Sequence, residues 1–292
     1  MTLGLRAYLR LIRVEHTLFS LPFAYAGAVI SLRGIPSPQD ALLIFTALFG
    51  LRSASMAFND LADLDIDRLN PRTARRPLVS GEVSEPGALA VVALGTILYV
   101  SSAWALNLWA LLLSPVPWLL AMTYPYSKRV HPVPHLHLGL VLGMAVFGGS
   151  VAVAGDWAPS LPDLLSEVPW TYVASVALWV AGFDVIYSIQ DEEFDRRMGL
   201  GSVPAAVGRE RALSISAAMH AVSSALMLAS IPLYGLGPLS AASAASASAM
   251  MAAEQVLARR GRVREAFNLN LALSLVASCG VLADASAGLL KV

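Results

Sequence analysis

Long apolar runs alternate with short polar breaks along almost the whole chain. Runs of the length that a bilayer core demands, about 20 residues per helix, fall at about 17–32, 41–58, 88–107, 108–124, 136–155, 169–187, 212–232, 235–256 and 266–289. The pattern predicts an all-α, polytopic membrane protein with nine transmembrane helices. They would form a bundle around a central cavity, under a cap of loops and short helices. Pro115 and Pro117 predict a kink in the fourth span, which neighbouring helices can tolerate in a membrane. The eighth, "LSAASAASASAMMAA", has a linker's composition, but without internal Gly or Pro it reads better as a closely packed helix. "MTLGLRAYLRLIR" has the look of a signal-peptide n-region and, with eight further spans behind the first, reads as a retained basic segment beside the membrane.

Composition supports this reading. Of 292 residues, 57% are hydrophobic and 14% charged, against about 25% charged in ordinary globular domains. The formal net charge is zero, so no broad basic surface offers itself to nucleic acid. Cys279 is the single cysteine, which rules out a disulfide framework within the chain.

The few charges are unevenly placed. With nine spans, the N-terminus and alternate loops share one face. That face holds Arg6, Arg10, Arg13, Arg68, Arg72, Arg75, Arg76, Lys128, Arg129, Arg196, Arg197, Arg209, Arg211, Arg259, Arg260, Arg262 and Arg264. Arg33 and Lys291 fall opposite, and Arg52 lies within a span. The positive-inside rule makes the rich face cytoplasmic and predicts residence in the cell membrane, with lipid around the bundle.

Residues 59–85 and 184–211 hold half of all charged residues. "NDLADLDIDRLNPRTARRPL" follows the second span and "DVIYSIQDEEFDRRMGLGSVP" the sixth, so both emerge on the same face. Asp63-x-x-x-Asp67-Arg68 echoes Asp191-x-x-x-Asp195-Arg196, each followed by a proline (Pro77, Pro204). The echo predicts one domain over residues 1–292 built of two related halves, roughly 1–130 and 131–292.

Residues four apart share a helix face. Asn59, Asp63 and Asp67 therefore predict one stripe extending the second span, and Asp184, Tyr187, Asp191 and Asp195 a matching stripe extending the sixth. Carboxylates so close repel and call for a cation. Two or three hard oxygen donors per side suit Mg2+, which binds through few carboxylates together with substrate phosphates. Arg72, Arg76, Lys128, Arg196 and Arg197 suit the phosphate oxygens directly. Asp60, Asp65, Glu192 and Glu193 point off the stripes, towards solvated or supporting positions. Arg52 lies two turns before Asn59 on the same face. An arginine at that depth faces a cavity or a partner, so it predicts recognition of an anionic second substrate, an ion pair with Asp184, or both.

At this point the residues resemble the UbiA superfamily of intramembrane prenyltransferases. The first signature, N-D-x-x-D-x-x-x-D then R-T-x-x-R-P-L-x-x-G, is met by Asn59, Asp60, Asp63, Asp67, Arg72, Thr73, Arg76, Pro77, Leu78 and Gly81. The second, D-x-x-Y-x-x-x-D-x-x-x-D, is met by Asp184, Tyr187, Asp191 and Asp195. "YPYSKR", Tyr124 to Arg129, resembles the family's loop with its lysine, here Lys128. The resemblance covers nearly the whole chain. It implies Mg2+-dependent transfer of an isoprenoid from a prenyl diphosphate to an acceptor, usually aromatic. It implies that Asn59, Asp63, Asp67, Asp191 and Asp195 hold metal and diphosphate, with Arg72, Arg76, Tyr124 and Lys128 contacting diphosphate. Asp63, Asp67, Asp191, Asp195 and Lys128 are thus the candidate catalytic set. "EHTLFSLPFAYAG" and "AGFDVIYSIQDEEFD" look most like the 4-hydroxybenzoate polyprenyltransferase branch of quinone biosynthesis. On that reading the acceptor is a small aromatic acid bound by Arg52, Asp184 and Tyr187. Relatives act on naphthoates in the menaquinone pathway or, in archaea, on a glycerol phosphate, and the spacer "RLN" with Pro71 leaves the acceptor open among them.

Two other classes fit less well. CDP-alcohol phosphotransferases carry one contiguous motif beginning D-G-x-x-A-R, which is absent here. A cation-coupled transporter predicts carboxylates near mid-membrane, whereas these cluster at span ends. His131, His135 and His137 in "HPVPHLH" read as solvated or capping residues, and His16 and His220 carry no signal of their own. The glycines of "LGMAVFGGSVAVAG" read as close helix packing with possible room for acceptor or tail.

Overall fold

The structure, a computed structural model, describes residues 3–290, apart from the side chains of residues 3 and 15–18. Glu15, His16 and Lys291, weighed above, therefore lie outside the described side chains. In chain order the helices are α1 (Leu3–Ile12), α2 (Val14–Leu32), α3 (Pro38–Ala62), α4 (Leu64–Leu69), α5 (Glu85–Leu106), α6 (Leu108–Leu113), α7 (Pro115–Val130) and α8 (Pro134–Ala154). They continue with α9 (Leu161–Glu167), α10 (Trp170–Ser188), a 3-10 turn (Ile189–Asp191), α11 (Glu192–Met198), α12 (Val203–Val207), α13 (Arg209–Leu233), α14 (Pro238–Arg259) and α15 (Val263–Ser286).

Each of the nine expected segments is helical. Among the described residues, seven stretches are long and apolar enough to cross a membrane: residues 38–62, 85–106, 108–130, 134–154, 170–198, 209–233 and 263–286. The other two fall outside this set. In α2 the apolar stretch with described side chains is Phe19–Leu32, shorter than a full span. The α14 segment is 22 residues long, but its serines, with Glu254 and Gln255, lower its hydropathy. The fold is an all-α membrane bundle, and the Ala/Ser-rich run is a helix rather than a linker.

Local sequence sets the helix starts. Ser37 precedes Pro38 and its hydroxyl accepts the Asp40 N–H at 3.1 Å. Ser84 does the same for Gly87 at 3.2 Å, beside Glu85 and Pro86. Both are N-caps that satisfy amides the helix leaves free. The kink expected from the prolines of the fourth span is a break at Ser114, between α6 and α7. Beyond it the helix runs further than expected, to Val130, so Tyr124 and Lys128 ride on its last two turns instead of a loop.

The core gathers where α2, α8, α10 and α15 meet, around Phe23, Tyr172 and Trp179. Close approach of backbones makes this possible. A Cβ on Gly149 would lie 1.9 Å from Ala24 O, and one on Gly27 2.1 Å from Val146 O, so α2 and α8 touch where only hydrogen fits. Gly50 and Gly95 do the same between α3 and α5. By contrast, a Cβ on Gly148 meets nothing within 4 Å. The basic N-terminal segment is α1. Its Ala7 and Leu11 are buried against Ala57, Leu64, Leu78 and Val83, so it lies across the end of α3 and the first acidic segment.

Candidate active site

Both acidic stripes bend at an aspartate. Asp63 sits between α3 and α4 with φ −98° and ψ 4°. Asp191 ends the 3-10 turn between α10 and α11 with φ −104° and ψ 3°. Both are in the bridge region between helix and turn. The expectation of two uninterrupted helical stripes is therefore corrected: Asp67 and Asp195 lie on short helices beyond these joints, α4 and α11.

Basic side chains hold the carboxylates and link the two segments. Arg72, in the loop after α4, donates to both oxygens of Asp191, from Nε at 2.8 Å and Nη2 at 2.6 Å. Asn70 adds a bond to Asp191 at 3.3 Å. The Arg72 guanidinium also lies over the Tyr187 ring at 5.5 Å and reaches its hydroxyl at 3.3 Å. Lys128 Nζ is 2.6 Å from Asp63 Oδ2, and Arg129 is 3.4 Å from Oδ1. Arg76 pairs with Asp67 and, at 3.3 Å, with Asp60. Arg196 and Arg197 turn to Glu192 and to the Glu193 carbonyl instead, away from this centre.

Beneath the ion pairs lies a cavity of about 480 Å³, a size typical of small-ligand sites. Asn59, Asp63, Arg72, Arg76, Tyr124, Lys128, Tyr187, Asp191 and Asp195 line it, with Arg52 and Asp184. Asp67 does not line it. It is 4% exposed behind Arg76, and burial pushes its carboxyl up, with Arg76 opposing and Asp63 adding to the rise. The deeper wall is apolar, formed by Phe19, Leu138, Leu142, Val180, Phe183 and Phe267. Phe19 and Phe267 meet the Phe183 ring edge-on, at 5.9 and 6.2 Å.

Several expectations change here. The Arg52–Asp184 ion pair is not formed. Arg52 is 7% exposed, and its Nε has no hydrogen-bond partner among the described residues. Asp184 bonds His135 at 2.7 Å instead. His135 is thus neither solvated nor a simple cap but a buried residue of the cavity wall. His131 accepts the Val133 N–H locally, and His137 ties α8 to α7 through Leu120 O. Asp60 is also no solvated residue. It is buried on the wall, paired with Arg13 at 2.7 Å, and its Oδ2 has no partner.

Sequence reasoning missed Arg13, His135 and Asn270 as cavity residues. Asn270 accepts the Trp179 indole N–H at 2.9 Å and donates to the buried Glu254 at 2.9 Å. A polar residue within an apolar span was the available signal for Asn270 and Glu254. Arg13 and His135 carry no such mark.

The donor set suits a hard divalent cation. Among the described residues no three His, Cys, Asp or Glu side chains converge tightly enough to hold a metal alone. The carboxylates are held by flexible Lys and Arg side chains, and Asp60 leaves a buried oxygen unpartnered. Such a donor set fits a hard divalent cation whose shell is completed by phosphate oxygens, which would draw the basic groups to themselves.

Comparison with known proteins agrees with this geometry. A profile of the UbiA prenyltransferase family matches residues 20–276. A 4-hydroxybenzoate octaprenyltransferase of Alkalilimnicola ehrlichii is 30% identical over 242 residues, covering 82% of this chain and 79% of that protein. The apo structure of a UbiA homolog from Aeropyrum pernix K1 superposes with a TM-score of 0.90 at 55% identity, over 92% of this chain and 98% of that one. A UbiA homolog from Archaeoglobus fulgidus bound to GPP and Mg2+ shares the fold, with a TM-score of 0.66 at 22% identity, over 95% of this chain and 99% of that one.

Proposed function

The chain belongs to the UbiA prenyltransferase family, and from that premise we propose that it transfers a polyprenyl group from a prenyl diphosphate to 4-hydroxybenzoate, at the carbon ortho to the phenol. The observation that carries this reading is one cavity with two unlike ends. Its mouth joins both acidic joints through Arg72, and its depth pairs Arg52 with an aromatic, apolar wall. The name of the Alkalilimnicola relative supports the acceptor, and the Archaeoglobus structure with GPP and Mg2+ supports the donor and the metal. The Arg-rich end faces the cytoplasm of a cell-membrane protein on the positive-inside argument. Two halves, 1–130 and 131–292, explain why Asp63 and Asp191 share one backbone conformation.

Asn59, Asp63, Asp67, Asp191 and Asp195 would hold Mg2+, Asp67 after giving up Arg76. Bound there, the metal neutralises diphosphate and stabilises charge gathering on the departing oxygen. Lys128, Arg72 and Arg76 turn from their carboxylates to the phosphate oxygens, and Tyr124 borders the same group. The allylic carbon then lies towards Phe19, Phe183 and Phe267, whose ring faces stabilise positive charge and whose bulk excludes water. Arg52 takes the carboxylate of the acid and sets the ring against that carbon. Tyr187 flanks the ring, and Asp184 accepts the phenolic proton. The lipid around the bundle receives the far end of the tail.

The test is diphosphate release by purified protein given Mg2+, a prenyl diphosphate and a panel of acceptors. Release with 4-hydroxybenzoate and not without acceptor supports the assignment. A preference for a naphthoate or a glycerol phosphate moves the acceptor, and release without any acceptor contradicts the reading.

A further inference from the structure

His135, in the first turn of α8, has both ring nitrogens engaged at a point where three parts of the site meet. It is 2% exposed. Nδ1 lies 2.7 Å from Asp184 Oδ2, and the Val203 backbone N–H donates to Nε2 at 3.1 Å. A backbone amide only donates, so Nε2 must present its lone pair, and the proton of the neutral ring sits on Nδ1. Protonating Nε2 would set two N–H groups head to head. The ring is therefore held neutral, with its one proton given to Asp184.

The bond from Val203 is secured by its own segment. Gly201 N–H donates to Lys128 O, and a Cβ on Gly201 would lie 2.0 Å from His131 O. Ser202, next along, lines the same cavity wall as Asp195. The stretch between α11 and α12 is thus fastened to the end of α7 and to the linker before α8, with His135 between it and Asp184.

The identity of the Asp184 partner matters. Asp63, Asp67 and Asp191 are each already engaged by a full positive charge. Asp184 has a neutral donor on one oxygen. Its side chain is 18% exposed on the cavity wall, and the bond to His135 uses Oδ2, leaving Oδ1 towards the cavity. Asp195 on the same wall also has no ion pair among the described residues, but it is assigned to the metal, which leaves Asp184 as the carboxylate fixed in place without being neutralised.

We propose that His135 is a positioning residue for proton transfer: it orients Asp184 through a neutral donor, so that Oδ1 takes the proton of the acceptor phenol. This rests on the aromatic-acceptor reading above. The O–H proton passes to Asp184 as the ring carbon bonds the allylic carbon, and the allylic C–O electron pair leaves with diphosphate. The resulting dienone gives its ring proton to diphosphate, and the C–H electron pair restores the ring as phenolate. The phenolate recovers its proton from Asp184. His135 keeps its own proton throughout.

The test compares wild type, His135→Ala and His135→Gln with 4-hydroxybenzoate and its 3-fluoro and 3-chloro derivatives, more acidic phenols that leave one ortho carbon open. His135→Ala loses about 10–100-fold in kcat with the parent acid, while KM for geranyl diphosphate is unchanged. Its deficit relative to wild type shrinks as the phenol becomes more acidic, because less help is needed to remove the proton. His135→Gln recovers most of the rate, since its amide can both donate to Asp184 and accept from Val203. Mg2+-dependent binding of geranyl diphosphate reports that each variant is folded; if His135→Ala fails that check, His135→Met fills the ring volume without a donor and replaces it. A deficit equal for all three acids, or His135→Gln no better than the apolar variant, overturns the assignment. A wild type that uses none of the phenolic acids overturns the proposed acceptor and this inference together, an outcome distinct from a uniform deficit.

Discussion

Arg72 grips Asp191 through two parallel N–H···O bonds, at 2.8 and 2.6 Å, and so joins the first acidic segment to the second across 119 residues of chain. A bidentate arginine–carboxylate pair is directional, which fixes the two segments face to face over one cavity. In the proposed cycle the same guanidinium exchanges a carboxylate for a phosphate.

Arg72→Ala is expected to act twice. Without it Asp191 and Asp195 repel unscreened, so the metal-free protein melts at lower temperature, and added Mg2+ recovers the loss by binding only the folded state. The pair is partly exposed, so the stability effect is at most about 1 kcal/mol. KM for prenyl diphosphate rises about tenfold or more. Thermal melts with and without Mg2+, beside steady-state kinetics, check both parts.

Arg52→Ala should separate the substrates. A buried arginine that receives the acceptor carboxylate raises KM for the aromatic acid by two orders of magnitude or so and leaves KM for prenyl diphosphate nearly unchanged. Equal increases in both would make Arg52 a structural charge instead.

The neighbouring glycines of α8 are expected to behave oppositely. Gly149→Ala forces a methyl against Ala24 O and should cost about 1–3 kcal/mol by driving α2 from α8. Gly148→Ala enters open space and should melt like wild type. Melting temperatures in one detergent decide it, and equal losses would contradict the close α2–α8 approach.

Much of this was legible in the chain because it is written locally. Run length gave the helices, and alternation gave the shared face of the two acidic segments. The joints were not legible, because no Gly or Pro marks Asp63 or Asp191 and an i,i+4 repeat reads as an unbroken helix. Arg52 was visible as a charge within a span, but its freedom from Asp184 depends on His135, which arrives from another helix. Arg13 likewise reaches Asp60 from the turn between α1 and α2, where its own backbone is left-handed, φ 46°. Tertiary packing chose these partners, and sequence spacing holds no record of it.

The central claim is that both acidic joints are needed at once to hold metal and diphosphate. Calorimetric binding of geranyl S-thiolodiphosphate, a slowly reacting analogue, to wild type, Asp63→Asn and Asp191→Asn tests it most directly. The account predicts binding to wild type only with Mg2+ present, and a loss of about 100-fold or more in either single variant. Mg2+-dependent binding of wild-type strength in either variant would mean that one joint suffices, and would contradict the account.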